Sequence, residues 1–553
     1  MKVLIVVHLI CFLVFPLHAQ EADLAIINAK VWTADEANQR AEAFAVRAGK
    51  FVFVGTTEEV MQWVGKETKV IDAEGKLVLP GLIDNHTHFL SGGFQLQSVD
   101  LRDAKNETEF AERIKTRADK YPNRWISGGD WDHDNWPGGN LPTKELIDKQ
   151  TPNTPVFVSR YDGHMALANS VVLKIAGITE DTPDPPGGTI VKDPVTGEPT
   201  GILKDEAMSF VYRHMPEASE DELMEAARLA LAEARKFGLT SIQDMAFSSH
   251  VKIYKRLKEE GELTARMYCR LPIGMTDELI KAGMKAGDGD EWIRTGSLKA
   301  FADGSLGSST ALFFEPYDSD PTTRGLPSDL VLDGRLEKWA MAGDRAGMQL
   351  SIHAIGDSAN GLMLDLFEKI IHENPRWDRR FRIEHAQHIR PPDFKRFARL
   401  HVIASVQPYH AIDDGRWAES RIGHERCKTT YAFKSFLDAG VRLSFGSDWT
   451  VAPLNPFLGI YAAVTRRTTD GNNPEGWFPE QKISVEEALK AYTMNNAYAS
   501  FEENVKGSIR SGKLADFIMV DRDILTIDPV QIEDTTVLAT FVGGKEVFGS
   551  VTN

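Results

Sequence analysis

LVLPGLIDNHTHF, residues 77–89, is the stretch that decides the fold. It begins as an apolar run with β-type residues and ends in Asp84-Asn85-His86-Thr87-His88. Alternate residues of a strand project from the same face, so the His86 and His88 imidazoles lie side by side. We therefore predict a buried strand whose carboxyl end presents two imidazoles to one metal ion.

Further apolar, β-branched runs follow this strand, at residues 238–246, 265–273, 296–304, 349–357, 379–387, 401–409 and 441–449. Most are separated by one amphipathic helix, such as DELMEAARLALAEARKFG at residues 221–238. Parallel strands that alternate with helices close into a barrel when there are eight of them. The sequence therefore predicts an α/β fold with an eight-stranded β/α (TIM-like) barrel over residues 79–506.

The two ends of the chain share a different texture, with short β-type runs separated by glycine-containing turns. We predict that residues 21–78 and 507–553 together form a small β-sandwich domain, built on an antiparallel sheet.

The long gap between residues 89 and 238 predicts a large insertion after barrel strand 1, at about residues 95–220. We expect a lid or pocket wall, because loops at the strand carboxyl ends build the active sites of such barrels. The alternative is a separately folding domain with its own partner.

Residues 1–19 have the plan of a signal peptide. Lys2 precedes an apolar run from Val3 to Phe15, which Pro16 and the small Ala19 follow. The alternative is a membrane anchor, but the run is shorter than the roughly 20 residues that cross a bilayer. We therefore expect an exported protein, periplasmic or secreted, with no stable membrane insertion once the signal is removed. The net charge of -17 argues against nucleic-acid binding.

Polar side chains also occur near the ends of other predicted barrel strands. They are Lys299, His353, His385 and Asp448. Taken singly, each is more simply explained as a hydrogen-bonded core residue, but together they surround one point. Imidazole and carboxylate ligands suit zinc, while manganese, cobalt and iron stay open. A bound divalent ion activates its water toward hydroxide, whose proton Asp448 could accept.

Motifs along nearly the whole chain make the pattern more specific. They include LPGLIDNHTHF, SGGDWD, RYDGHMALANS, LKAFADGSLGSSTA, SIHAIGD, IEHAQH, ASVQPYH and FGSDWTVAPLNP. This set resembles the amidohydrolase superfamily, and within it the YtcJ-like branch that includes N-substituted formamide deformylases. The resemblance implies that His86, His88, His353, His385 and Asp448 are metal ligands, with Asp448 also moving a proton. It further implies one or two divalent ions, with Lys299 in carboxylated form bridging two.

Further residues are candidates for the substrate pocket, although structural roles compete for each: Asp162, His164, Asp303, Gln407 and His410. Trp125, Trp131 and Trp136 in the insertion are compatible with an apolar or aromatic substrate, but tryptophans are just as often structural. Glu384 alternates with His385, so we expect its side chain to point away from the centre, toward a helix or a neighbouring strand.

The leading hypothesis is a metal-dependent hydrolase that cleaves a non-peptide carbon–nitrogen bond, in an amide, formamide or cyclic amide, by metal-activated hydroxide. The alternatives are a deaminase or ester hydrolase with the same metal centre, or a non-catalytic exported binding protein. The expected partner is a small-molecule substrate. A homodimer is common for this fold, but no sequence feature demonstrates one.

Overall fold

The structure, a computed structural model, describes residues 21–122, 124–133, 136–160, 165–185 and 188–549. The predicted signal peptide, residues 1–19, lies outside these ranges, as do Asp162 and His164. The chain divides into two compact units, one of residues 90–230 and one that contains the rest.

Eight parallel strands form the centre of the second unit. We label them β1 (Leu82–Thr87), β2 (Leu239–Met245), β3 (Arg266–Pro272), β4 (Ile293–Phe301), β5 (Gln349–Ala354), β6 (Arg382–His385), β7 (Ile403–Val406) and β8 (Leu443–Phe445). Neighbours pair in chain order from β1 to β8. Thr87 of β1 forms a parallel bridge with Trp449, which follows β8, so the sheet curves into a nearly closed barrel. The predicted eight-stranded barrel is thereby confirmed.

The predicted first strand is split between two sheets. Residues Leu77–Pro80 pair antiparallel with Phe517–Val520, outside the barrel, whereas β1 begins at Leu82. Gly81 lies at the break, where an added Cβ would come within 2.2 Å of the Thr240 hydroxyl. The single apolar run therefore contributes one strand to the sheet outside the barrel and one strand to the barrel. Only the second of these strands contains His86.

Helices connect and flank the barrel strands. Their bounds are Glu220–Lys236, Ser248–Glu259, Thr276–Lys281, Asp329–Leu332, Arg335–Arg345, Asp357–Glu373, Pro391–Arg399, Pro408–Asp414, Ala418–Cys427, Phe433–Asp438, Pro456–Thr465, Val485–Ala491 and Met494–Ala499. None of the helices in the described ranges is both long and apolar enough to cross a bilayer.

Two further sheets contain the strands from the chain's ends. One has the order Lys50–Gly55, Ala43–Arg47, Leu24–Ile27, Lys69–Asp72, and helix Thr57–Met61 lies between its strands in sequence. The other has the order Lys545–Gly549, Val537–Val542, Phe517–Val520, Leu77–Pro80, Lys30–Trp32, Arg40–Ala41. Both contribute to one apolar core, in which the Phe44 and Phe517 rings meet edge to face at 4.8 Å.

The antiparallel arrangement predicted for the amino-terminal strands is wrong in part. Leu24–Ile27 pairs parallel with Lys69–Asp72, and Lys30–Trp32 pairs parallel with Leu77–Pro80. Parallel pairing needs a long connection, and the segments between these paired strands are long enough to provide it.

The unit of residues 90–230 has a six-stranded mixed sheet of its own. The order is Gly188–Lys192, Pro199–Asp205, Met165–Ala168, Phe157–Arg160, Gly128–Trp131, Val99–Asp100. Its helices include Glu107–Lys120, Lys144–Asp148, Ser170–Ala176 and Ser209–Tyr212. Trp131 and Trp136 are buried in this unit's core, where their indole N–H groups donate to the carbonyls of Val158 (2.9 Å) and Ala104 (2.8 Å). Both tryptophans are therefore core residues, which corrects their association with a substrate.

Candidate metal centre

The first cluster of metal-binding side chains joins the two edges of the barrel. His86 lies next to the last residue of β1, His88 follows that strand, and Asp448 follows β8. Asp448 Oδ1 lies 3.5 Å from His86 Nε2 and 3.4 Å from His88 Nε2. His86 and Asp448 are buried and His88 is partly exposed. Each residue offers one ligand atom within 4.8 Å of the others.

A second cluster shares Asp448 with the first. His385 at the end of β6 and His410 in helix Pro408–Asp414 each offer a ring nitrogen within 4.8 Å of the other and of the Asp448 carboxylate. The His385 ring lies 4.9 Å from that of His86. His410, predicted only as a pocket residue, is therefore brought into a group that can hold an ion.

Several buried polar atoms at the centre lack a hydrogen-bond partner within the ranges that the structure describes: His86 Nε2, Lys299 Nζ, His410 Nε2 and Asp448 Oδ1. Buried polar atoms without partners are rare because each costs free energy. The two ring nitrogens and the carboxylate oxygen can all donate an electron pair to a cation. The residues present therefore fit a divalent ion, and this donor set suits zinc.

Two of the imidazoles are oriented by a hydrogen bond at one of their ring nitrogens. His353 Nε2 donates to the Gly304 carbonyl at 2.9 Å, which leaves Nδ1 as the nitrogen with the free electron pair. His385 Nδ1 donates to the Gln407 side-chain oxygen at 2.8 Å, which leaves Nε2 free. Gln407, a predicted pocket residue, thus lies against His385. The His353 and His385 rings meet at 4.5 Å, so His353 adjoins the second cluster.

Lys299 on β4 is buried with its ammonium 4.4 Å from the Phe301 ring. Burial lowers the pKa of Lys299 to about 8, with a further contribution from Arg270. The amine is therefore more readily neutral than an exposed lysine.

The side chain of Glu384 contradicts the expectation from strand alternation. Glu384 is fully buried inside the barrel, and its Oε2 lies 2.5 Å from His86 Nδ1. His385 also points inward because its backbone has φ of +72°, which ends the extended conformation there. Asp448 has φ of +58°. The backbones of both His385 and Asp448 therefore lie in a region that residues other than glycine rarely adopt. Strained backbone of this kind clusters at functional sites.

The remaining pocket candidate among the described residues, Asp303, lies beside the centre with its carboxylate already engaged. It accepts hydrogen bonds from the backbone N–H groups of Leu312 (2.8 Å), Ile355 (3.0 Å) and Gly356 (2.9 Å). Its Oδ1 is 3.4 Å from His353 Nε2. Asp303 therefore anchors loops around His353.

Side chains that can ligate a metal, gathered at the strand ends of a parallel barrel, are the arrangement typical of barrel enzymes with a metal centre. Residues 69–548 match the model of the amidohydrolase family. The chain belongs to this family and is a hydrolase.

Individual relatives support the YtcJ-like branch. The chain is 39% identical to protein LONG AFTER FAR-RED 3 of Arabidopsis thaliana, over 95% of this chain and 92% of that protein. It is 32% identical to YtcJ of Bacillus subtilis, over 94% of this chain and 98% of that protein. It is 28% identical to an N-substituted formamide deformylase of Arthrobacter pascens, over 95% of this chain and 98% of that protein. The resemblance expected from the motifs is thereby confirmed.

The fold has a solved counterpart. The crystal structure of an uncharacterized metal-dependent hydrolase from Pyrococcus horikoshii matches with a TM-score of 0.77 and 28% identity, over 92% of this chain and 99% of that chain.

Proposed function

We propose that this protein hydrolyses a non-peptide carbon–nitrogen bond, in an amide, formamide or cyclic amide, at a divalent metal centre. The observation that carries the proposal is that two histidine pairs, His86 with His88 and His385 with His410, share the Asp448 carboxylate. Several of the buried ligand atoms in these clusters have no hydrogen-bond partner in the described part of the chain. The formamide substrate class is supported by the similarity to the N-substituted formamide deformylase.

The ligands we propose are His86, His88, His353, His385 and Asp448, with His410 added by the geometry. When bound, a divalent ion would lower the pKa of water and polarise the substrate carbonyl. The Asp448 carboxylate lies between the histidine pairs, so it can take one proton from the attacking water. It would return that proton to the amide nitrogen as the C–N bond breaks, which gives an amine and a carboxylic acid, joined in one product when the amide is cyclic.

Lys299 is proposed to bind as a carbamate when two ions are present. Its buried Nζ has no hydrogen-bond partner in the described part of the chain, and an ammonium there would repel a cation. A carbamate on the same side chain supplies oxygen ligands instead. Zinc is the metal we propose, because imidazole and carboxylate ligands suit it.

The test compares metal-stripped protein with protein reloaded with Zn²⁺, on a panel of N-formyl amines, N-acyl amines, cyclic amides, esters and amino-substituted heterocycles. We expect Zn²⁺-dependent formation of an amine group from one of the first three classes. His86→Asn should lose both the ion and the activity. The control His424→Asn changes an exposed histidine that pairs with Glu419, packs against the Phe478 ring and belongs to neither cluster, and it should keep both.

Three outcomes would contradict the proposal. Hydrolysis of esters alone would indicate an esterase, and release of ammonia from a heterocycle would indicate a deaminase. Substrate binding without turnover in the Zn²⁺-loaded protein would indicate a binding protein.

A further inference from the structure

Glu384 occupies a position directly behind the candidate ligand His86. Its Oε2 contacts His86 Nδ1 at 2.5 Å, on the side of the ring opposite to Nε2. Nε2 is the atom that faces Asp448, at 3.5 Å. The His86 ring is thus held between a carboxylate at its back and the proposed ion position at its front.

Two buried arginines hold this carboxylate. Arg270 Nη1 donates to Glu384 Oε1 at 2.6 Å, and Arg382 Nε lies 3.0 Å from the same oxygen. The Ser405 hydroxyl donates to Oε2 at 2.6 Å. The side chains of Arg270, Arg382 and Glu384 are completely buried. Such a group has few alternative positions, because each charged side chain would lose its partners if it moved.

The same arginines also hold the backbone next to His86. Arg270 Nη2 and Arg382 Nη2 both donate to the carbonyl oxygen of Asn85, the latter at 3.0 Å. The network therefore fixes both the ring of His86 and the peptide unit that precedes it. It joins β1, β3, β6 and β7, of which only β6 and β7 are consecutive strands along the chain.

We propose that Glu384, clamped by Arg270 and Arg382, is a positioning residue that presents His86 Nε2 to the metal ion. A carboxylate can only accept a hydrogen bond, so Nδ1 donates and Nε2 keeps its electron pair. Residues that orient a ligand histidine in this way commonly change metal affinity by 10–100-fold when they are replaced. This inference rests on the metal centre proposed above.

The sharpest perturbation is Glu384→Gln, which keeps the size of the side chain. Both arginines require an acceptor, so the amide oxygen of the variant should stay toward them and its NH₂ group should turn toward His86. An NH₂ group facing Nδ1 favours the ring form that carries its proton on Nε2, which cannot bind an ion. We therefore expect Zn²⁺ affinity to fall by about 10–100-fold.

Glu502→Gln is the matched control. Glu502 is also buried and also contacts two cations, Lys506 at 2.7 Å and Arg294 at 3.1 Å, but it touches no proposed ligand. If the loss of a buried charge alone weakened Zn²⁺ binding, both variants would bind Zn²⁺ less tightly. If the loss of ligand orientation weakens it, only Glu384→Gln should do so. The measurements are Zn²⁺ affinity by competition with a chromophoric chelator, and the visible absorption of the Co²⁺-loaded full-length chain.

The expected result is wild-type Zn²⁺ affinity and Co²⁺ spectrum in Glu502→Gln, with weaker binding and a changed spectrum in Glu384→Gln. Equal affinity and equal spectra in the two variants would overturn the inference and leave the metal centre standing. If the wild-type chain itself binds neither ion, the proposed function fails and this inference falls with it. Should Glu384→Gln not fold, Ser405→Ala decides: weaker Zn²⁺ binding supports the inference and wild-type binding overturns it.

Discussion

Asp448→Asn separates proton transfer from metal binding. The Asp448 carboxylate is buried, and its Oδ1 lies 3.5 Å from His86 Nε2 and 3.4 Å from His88 Nε2. The amide has nearly the same shape, so it should fill the same space. It cannot accept a proton from water and return it to a leaving amine.

The expected loss follows from that single function. A positioned general acid or base contributes about 10²–10⁴-fold to the rate. At 1.36 kcal/mol for each factor of ten, this corresponds to about 3–5 kcal/mol of activation free energy. We therefore expect kcat to fall by at least about 100-fold while the zinc ion remains bound.

The assay is kcat of the variant at saturating Zn²⁺ on the best amide of the substrate panel, with bound zinc counted by mass spectrometry of the same sample. Asp329→Asn, at an exposed position in helix Asp329–Leu332, is the control and should retain wild-type kcat. A zinc-loaded Asp448→Asn variant with wild-type kcat would refute the proton-transfer role.

Three further predictions concern other parts of the chain. Protein loaded with two zinc ions in the presence of ¹³C-bicarbonate should show a carbamate carbon signal by NMR that Lys299→Arg lacks, and its absence from the loaded wild type would exclude the carboxylated lysine. Gly446→Ala would bring a Cβ within 2.4 Å of Asn85 Oδ1, so we expect a loss of about 1–3 kcal/mol in unfolding free energy and weaker Zn²⁺ binding, and an unchanged denaturation midpoint would contradict this account of the packing. Finally, expression with the native amino terminus should yield exported protein that has lost residues 1–19, and a retained terminus in the mass spectrum would count against the signal peptide.

The barrel could be predicted from sequence because its physical signal is repeated. Each strand is an apolar run of the expected length, and amphipathic helices separate most of them. The histidine pair after such a run, together with polar residues at other strand ends, then located the site. His86, His88, His385 and Asp448 lie close together because parallel strands bring their carboxyl ends to one edge of the sheet.

Features that depend on local backbone geometry could not be predicted in the same way. Simple alternation placed Glu384 away from the centre, but positive φ at His385 allows both neighbours to point inward. His410 lies on a short helix after β7, and its orientation depends on where that helix begins. The tryptophans of the insertion were ambiguous because a core indole and a substrate-facing indole have the same sequence signature.

The most direct test of the central claim is the crystal structure of the zinc-loaded chain, with the ion located by anomalous scattering at the zinc edge. We predict an anomalous peak coordinated by His86, His88 and Asp448, and, if a second ion binds, another peak beside His385. A zinc-loaded crystal without an anomalous peak among these side chains, or with its peak at a different set of residues, would contradict the account.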